Sequence, residues 1–282
     1  MSVSTFIPAV WSRVLLTNLF KSQVFAQPSV VNRDYEGDIA GLGSSVKIHN
    51  IGPITISDYT VNTDLTAPEA LTDGETVLTI DRQKAFNFQI DDVDNAQSVP
   101  KLMEGAMVQA AYNLSDELDA YLGSLYTSAG ITTGFGTTGS PIVPTASTAY
   151  EYLADAYTAL DEANAPRDGR WCIVPPWFHG LMRKDSRFIL YTDSNRETLG
   201  NALIGEAAGF QVFVSNNVFN TSGAKYRIMF GHPSAWTVAN SVEKVEAFRM
   251  EKRFADALKG LHVYGAKVVR PTILGAMCMS KS

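Results

Sequence analysis

The sequence predicts an α+β fold built around one long helix. Apolar and polar residues alternate within residues 46–90 and again toward the C-terminal end, which is the pattern of half-buried strands. Residues 98–126 instead keep apolar side chains at three- and four-residue spacing, which is the pattern of an amphipathic helix. Residues 130–228 mix the two patterns. Strands and helices therefore alternate in blocks along the chain.

The composition is that of a folded protein with a substantial core. The 282 residues are 45% hydrophobic and 18% charged, which argues against disorder. The net charge of -6 argues against a protein that wraps nucleic acid tightly, and leaves open weak contact through a local basic patch. Cys172 and Cys278 lie far apart without a C-x-x-C motif, so we expect two buried thiols rather than a disulfide or zinc site.

The N-terminal residues 6–26 are apolar enough to suggest a secretory signal peptide. No basic segment precedes them, and Arg13 and Lys21 interrupt the apolar run, which argues against that interpretation. Their apolar residues follow helical spacing, so we predict an amphipathic arm that contacts a partner through Trp11 and Leu15. No stretch approaches the ~18 apolar residues of a membrane span, and we expect a soluble, cytoplasmic protein.

Residues 27–90 are expected to contain an extended arm followed by a β-rich protrusion. Residues 27–46 are polar and glycine-rich, which predicts an extended conformation. Residues 46–90 alternate as strands but include few large apolar residues, so we predict a protrusion without a core of its own. Asp73 and Gly74 are a turn signal within it, and we predict that they contact a partner.

The helix predicted at residues 98–126 has a capping residue, Ser98, and a proline in its first turn, Pro100. At 1.5 Å per residue it runs for roughly 40 Å. That length is large for a domain of this size, so we expect the helix to span the subunit. Its apolar face consists of Met103, Met107, Ala111, Leu114, Leu118, Leu122 and Leu125.

The segment after this helix contains two further helices and two strands. Thr148 and Glu151, at capping-box spacing, predict the start of a second helix. A buried strand is predicted at residues 170–174, and the prolines at 175 and 176 start a short helix after it. Residues 209–218 predict another strand.

The C-terminal part is expected to form long strands. Residues 225–240 supply one or two, and residues 244–271 predict two more around a turn near Leu258–Gly260. Cationic residues cluster here among acidic ones, which predicts a solvated or interfacial face with ion pairs between subunits. The cationic residues expected at subunit contacts are Arg249, Lys252 and Arg253.

Gly134, Gly136 and Gly139, in the stretch TGFGTTGSP, have the G-x-G-x-x-G spacing of dinucleotide-binding loops. In those folds the motif follows a strand and opens a helix. Here it follows the long helix, and Pro141 and Pro144 prevent a regular helix from starting at the third glycine. We therefore predict a mobile loop, and a dinucleotide-dependent oxidoreductase remains a distant alternative.

No other motif indicates catalysis or a metal site. Asp91, Asp92 and Asp94 lack the glycine and terminal Glu of a calcium loop, and are expected to offset the dipole of the helix that follows them. The four histidines are scattered and belong to no catalytic motif. The sequence therefore predicts no catalytic residue, no cofactor and no metal, in a protein that is not an enzyme.

Three stretches, taken in this order, carry a resemblance to a known family. They are APRDGRWCIVPPW (165–177), LGNALIGEAAGFQVFVSNNV (199–218) and FRMEKRFADALKGLHVYGAKVVRP (248–271). Together with the arm, the β-rich loop and the long helix, they resemble the major capsid proteins of tailed bacteriophages. That shell fold is shared with the floor of herpesvirus capsids and with encapsulins.

The resemblance implies four parts in the chain. Residues 1–45 would be an N-terminal arm that reaches a neighbour, and residues 46–90 an extended β-hairpin loop that lies over the next subunit. A peripheral domain with the long spine helix would combine residues 91–129 and 229–282. Residues 130–228 would form an axial α/β domain at the centre of each pentamer or hexamer.

The resemblance also implies the function. Many copies would self-assemble as pentamers and hexamers of an icosahedral phage head that encloses double-stranded DNA. The arm starts almost at Met1, which predicts a separate scaffolding protein or an already mature chain. A portal, weak contact with packaged DNA, no membrane, assembly in the host cytoplasm and a final place in the virion are also expected. An encapsulin compartment that holds enzyme cargo is the alternative within the same fold.

Overall fold

The computed structural model describes residues 23–36, 43–51, 73–91, 102–185, 205–252 and 254–281, with single residues between 54 and 64. The strands are β1 (Ser45–Ile51), β2 (Asp73–Thr79), β3 (Arg82–Asp91), β4 (Trp171–Val174), β5 (Glu206–Ala207), β6 (Phe210–Val214), β7 (Asn220–Thr221), β8 (Lys225–Gly231), β9 (Trp236–Arg249), β10 (Ala255–Val268) and β11 (Leu274–Ser280). The helices are α1 (Leu102–Ser124), α2 (Ala149–Glu162) and α3 (Pro176–Met182), with 3-10 turns at Leu125–Ser128, Pro233–Ala235 and Pro271–Ile273.

The largest sheet has six strands and holds the main core. Its order is β11-β8-β4-β6-β5, and β7 pairs with β8. β4 and β6 are parallel, whereas the other neighbours are antiparallel. All four residues of β4 are buried, and the indole rings of Trp171 and Trp236 stack with their centroids 5.5 Å apart. We call this sheet, with α2 and α3, the six-stranded region.

A second sheet has three strands in the order β3-β10-β9, all antiparallel. Its core is a small apolar cluster in which three residues of α1 contact one residue of β9 and one of β10. The cluster consists of Met107, Ala111, Leu114, Val245 and Leu258. We call this sheet, with the N-terminal half of α1 and the hairpin described next, the three-stranded region.

β1 and β2 pair only with each other, as an antiparallel hairpin. Its base packs against the second sheet through Ile48, Leu78 and Ile80, which contact Ala239 and Val263. β3 was predicted within the same protrusion, but it pairs with β10 along its whole length. The β-rich stretch of residues 46–90 is therefore divided between the hairpin and the second sheet.

α1 joins the two regions, as predicted for the long helix. Leu118 and Leu122 belong to the main core, whereas Met107 and Ala111 belong to the small cluster. The predicted face is buried at each of these four positions, because its residues recur at three- and four-residue spacing. Ser98 and Pro100, the predicted start, lie outside the described residues.

Residues 23–36 pack against the main core rather than extending away from the subunit. Phe25, Val30 and Val31 are buried, and the indole Nε1 of Trp236 donates a hydrogen bond of 2.8 Å to the carbonyl of Val30. These apolar residues supply the burial that holds the segment, although the polar and glycine-rich composition of residues 27–46 predicted an extended arm.

The predicted turn near Leu258–Gly260 is wrong. Those residues lie within β10, and the chain reverses around residues 250–254, where the amide of Met250 donates to the carbonyl of Ala255. Gly260 is needed in the strand because the ring of Phe86 occupies the space where a Cβ would stand. The glycine reflects close packing across the strands.

Thr148 is the N-cap residue of α2, so the predicted start of this helix is confirmed, whereas the predicted capping hydrogen bond of its side chain is wrong. Thr148 makes no side-chain cap to the helix. Its hydroxyl instead accepts a hydrogen bond of 2.9 Å from the amide of Thr145, so it closes the turn that leads into the helix.

Candidate assembly surfaces

The hairpin presents apolar residues to solvent. Ile54, Ile56 and Val61, in the stretch that joins β1 to β2, are 64%, 95% and 75% exposed. A two-stranded hairpin has little stability by itself, and exposed large apolar side chains of this kind mark contact surfaces. Ile56 is the most exposed of the large apolar side chains that the structure describes.

Asp73 and Gly74 lie in β2 and not in a turn. Asp73 pairs with Ile51 and Gly74 with Asn50, so the connection between the strands is the longer stretch of residues 52–72. The turn prediction is therefore wrong, because the register of the hairpin places both residues in the ladder. Their predicted contact with a neighbouring subunit remains a prediction.

The cationic residues near the C-terminal end have partners within the chain. Arg249 contacts Asp256 at 3.1 Å, and Lys259 contacts Glu246 at 2.8 Å, both across the β9–β10 pair. Lys252 is exposed in the turn that follows β9. Trp11, Leu15 and Arg253 lie outside the described residues. The predicted contacts of all these residues between subunits stay predictions.

Asp119 holds the N-terminal segment against α1, and the sequence analysis missed it. Its carboxylate accepts hydrogen bonds from the amides of Val24 (2.7 Å), Phe25 (3.2 Å) and Ala26 (3.4 Å). Burial raises the pKa of Asp119 to about 6, and the three N–H donors only partly oppose that shift. An acidic residue one position after Leu118 on the buried side of a helix is the signal that could have identified it.

His262, one of the four histidines that belong to no catalytic motif, is deeply buried in the second sheet. It lies on β10 opposite Lys84 of β3, and neither ring nitrogen has a hydrogen-bond partner among the described residues. Burial lowers its pKa to about 4 because the charged imidazolium would lose its hydration there. Its alternation with Leu258 and Tyr264 along the inner face of β10 is the sequence signal for burial.

The glycine-rich stretch is bonded to β11 and is not a free loop. The amide of Cys278 donates to the carbonyl of Phe135 at 2.7 Å, and the amide of Ile142 donates to the carbonyl of Cys278 at 2.9 Å. Gly136 has φ +75°, and a Cβ there would stand 2.7 Å from the carbonyl oxygen of Cys278. The prediction of a mobile loop is therefore wrong, since backbone pairing fixes the stretch against the sheet edge.

The same stretch does not have the geometry of a dinucleotide site. It follows the 3-10 turn Leu125–Ser128 rather than a strand, and the next helix, α2, begins at Ala149, ten residues after Gly139. Of its three glycines, Gly136 is the one that approaches β11 closely. The oxidoreductase alternative has no structural support in this loop.

Within the described ranges, no three His, Cys, Asp or Glu side chains are grouped so that they could hold a metal ion. Cys172 and Cys278 are both buried and free. No described helix is both long enough and apolar enough to cross a bilayer.

Comparisons with known proteins agree with this architecture. The model of the phage capsid protein family matches residues 74–274. A chain from Mycobacterium phage Che8 is 29% identical over 90% of both chains, with a TM-score of 0.74. The capsid of Cyanophage P-SCSP1u gives 17% identity and a TM-score of 0.66, over 85% of this chain and 84% of that chain. No curated protein matches the sequence significantly.

A virus-like particle from Pyrococcus furiosus shares the fold, with a TM-score of 0.59 and 15% identity over 98% of this chain and 100% of that chain. Together with these comparisons, the two sheets joined by one long helix are those of a structural protein that forms a shell. The chain belongs to the phage capsid protein family. It is a major capsid protein, and many copies of it form the shell of the virion.

Proposed function

We propose that this chain forms the pentamers and hexamers of an icosahedral phage head that encloses double-stranded DNA. The axial domain would comprise residues 130–228, which supply α2, α3, β4 to β7 and the start of β8 to the six-stranded region. The peripheral domain would combine residues 91–129 and 229–282, with α1 as its spine. Assembly would take place in the host cytoplasm, with a scaffolding protein and a portal as further partners.

The exposed hairpin is the observation that carries this proposal. Ile54, Ile56 and Val61 are exposed in the stretch that joins β1 to β2, and a neighbouring subunit that covers them would bury this apolar surface. The hairpin is then a clasp that joins adjacent subunits, and Asp73 and Gly74 lie at its strand end. Arg249, Lys252 and Arg253 would supply polar contacts at the rim of the same type of interface.

The acidic balance of the chain supports a container that holds DNA without tight binding. A net charge of -6 gives no sustained cationic field for phosphate contact. Contact with packaged DNA would therefore be weak and independent of base sequence. The family match favours a phage head over an encapsulin compartment, since the likeness to the Pyrococcus furiosus particle concerns the fold alone.

The experiment replaces residues 54–70 with a short Gly-Ser linker and leaves β1 and β2 intact. We expect pentamers and hexamers to form while closed shells do not, as seen by electron microscopy and by sedimentation. The matched control changes two exposed polar residues of the same stretch, Asp58→Asn and Asp64→Asn, and should close normally. Normal closure of the linker variant would contradict the role of the clasp.

A further inference from the structure

A polar cavity of about 150 Å³ lies where residues 32–35, the hairpin and the end of β10 meet. Asn32 and Tyr35 line it from the N-terminal segment, His49 lines it from β1, and Arg270 lines it from the turn after β10. Thr237 of β9, which is 1% exposed, also lines it. Among the described residues of the lining, none is an Asp or a Glu. The cavity therefore collects hydrogen-bond donors from several segments without a carboxylate to receive them.

Three of these side-chain donors have no acceptor in the part of the chain that the structure describes. The side-chain oxygen of Asn32 accepts a hydrogen bond of 2.8 Å from the amide of Asp34, whereas its Nδ2 donates to no described atom. The hydroxyl of Tyr35 and the guanidinium of Arg270 also make no hydrogen bond or ion pair with a described residue. Donors that converge on one cavity without partners indicate a ligand that accepts from them.

The carboxylates next to these donors are occupied elsewhere or lie outside the cavity. Glu36 pairs with Arg33 at 2.7 Å, and Glu75 of β2 pairs with Lys47 at 2.9 Å. Asp34 is exposed and does not line the cavity. These acidic residues therefore leave the positive charge of the cavity without a counter-charge.

The charge of Arg270 is felt by a neighbouring histidine. Nδ1 of His232 lies 2.8 Å from the hydroxyl of Ser234, which lines the cavity. Burial lowers the pKa of His232, and the positive charges of Arg170 and Arg270 lower it further. Arg170 has Asp161 as a partner at 2.7 Å, whereas Arg270 has no such partner among the described residues. The surroundings of the cavity are therefore electropositive, which favours an anion as its ligand.

We propose that this cavity binds one phosphate group, either as free inorganic phosphate or as part of the DNA backbone. The guanidinium of Arg270 would make charge-assisted hydrogen bonds to the phosphate oxygens, and Asn32 and Tyr35 would supply neutral ones. The volume of about 150 Å³ is below the roughly 300–1,000 Å³ of pockets that enclose drug-sized ligands, so a phosphate group fits and a whole nucleotide does not. DNA as the source rests on the proposed function, whereas binding of the free ion does not depend on it.

The bound phosphate would also restrain the base of the hairpin. The cavity is lined by both β1 and the N-terminal segment, so an ion that contacts both sides holds them together. The hairpin base otherwise packs through a small apolar cluster that includes Ile48 and Leu78. We therefore expect phosphate to slow hydrogen exchange at the amides of residues 46–49 by about threefold. An unchanged exchange rate in saturating phosphate would overturn this coupling.

The test is equilibrium dialysis of the full chain, before assembly into shells, against radiolabelled orthophosphate in chloride buffer of constant ionic strength. We expect saturable binding by the wild type and at least tenfold weaker binding by Arg270→Gln, because the charged donor is lost. The matched control is Arg183→Gln, which removes the same charge from an exposed arginine outside the cavity. Absence of saturable binding, or equal affinity of the wild type and Arg270→Gln, would overturn the proposal.

A second variant changes a neutral donor without changing the charge. Tyr35→Phe keeps the ring that packs against the apolar cluster of the hairpin base and removes only the hydroxyl. We expect it to bind phosphate roughly threefold more weakly than the wild type. Tyr112→Phe, at a tyrosine of α1 that is 56% exposed, is the matched control and should bind normally. Wild-type affinity in Tyr35→Phe would contradict the assignment of the ion to this cavity.

A short DNA duplex added to the dialysis distinguishes the two sources of the phosphate group. Displacement of labelled phosphate from the wild type identifies the DNA backbone as a ligand, whereas phosphate that the duplex does not displace identifies the free ion, and either result supports the site. Micrographs taken after assembly report shell formation separately. A failure of the proposed function is therefore distinguishable from a failure of phosphate binding.

Discussion

The six-stranded and three-stranded regions differ in how much of their apolar surface is buried within the subunit. The first buries large side chains from both ends of the sequence, including Trp171, Phe230 and Trp236, in one continuous core. The second has small clusters under a thin sheet, and Phe248 and Phe254 remain exposed on or beside it. The difference indicates that the first region stabilises the subunit, whereas the second leaves apolar surface for its neighbours.

The largest effect should follow from a change that opens the main core. Trp171→Ala removes a fully buried indole that stacks on Trp236, so the free energy of unfolding should fall by about 4 kcal/mol. Urea denaturation of the unassembled subunit measures this loss. Phe248→Ala, in the three-stranded region, should change subunit stability by less than about 1 kcal/mol and act mainly on assembly. Equal losses would remove the distinction between the two regions.

Acid should weaken the three-stranded region through His262. The unfolded histidine binds a proton near its ordinary pKa of 6.5, whereas burial lowers the pKa in the folded state to about 4. The unfolded state therefore binds more protons between these values, and stability falls as pH drops from about 6.5 to 4, by about 3 kcal/mol.

His262→Leu keeps an apolar group of similar size and removes this titration. Its free energy of unfolding should therefore depend less on pH in that range than that of the wild type. Denaturation at pH 7 and pH 4.5 provides the measurement, and His179→Leu, at a partly buried histidine of α3, is the control. An unchanged pH dependence in His262→Leu would show that this residue does not cause the acid sensitivity.

Asp119→Ala should release the N-terminal segment from α1. Three amides lose their hydrogen-bond acceptor, whereas the carboxylate no longer has to be buried. The net effect should lower the free energy of unfolding by about 2 kcal/mol. The folded pKa of Asp119 is raised, so the native state binds the extra proton and the wild-type advantage should be larger at pH 4 than at pH 7. Hydrogen exchange at residues 24–26 reports the release, with Asp116→Ala as the control. Unchanged protection there would contradict this role.

The smallest of these effects concerns the glycine-rich stretch. Gly136→Ala should cost about 1–2 kcal/mol, because its φ is positive and a Cβ would meet the carbonyl of Cys278. Gly139→Ala is the matched control from the same motif, since its backbone φ is not positive and its surroundings are open. Thermal denaturation compares the two. Similar melting temperatures would restore the interpretation of a loosely held loop.

Local sequence patterns predicted the buried residues correctly where the apolar residues follow one short-range period. The spacing of Met107, Ala111 and Leu118 predicted which side of α1 is buried, and the apolar run at 171–174 predicted a buried strand. The same reasoning failed at Gly260 and at Asp73–Gly74, where glycine marks turns more often than ladders. Both lie in strands because residues distant in sequence, Phe86 and Asn50, approach them.

The sequence by itself determined the α+β class and the long helix, because helical spacing and apolar runs are local properties. Its resemblance to a known family indicated the shell function. Only the tertiary structure decided the sheet order, the reversal after β9 and the attachment of the glycine-rich stretch to β11. It also decided that the carboxylate of Asp119 receives the amides of residues 24–26. These features depend on contacts between residues far apart in the chain, which local periodicity does not encode.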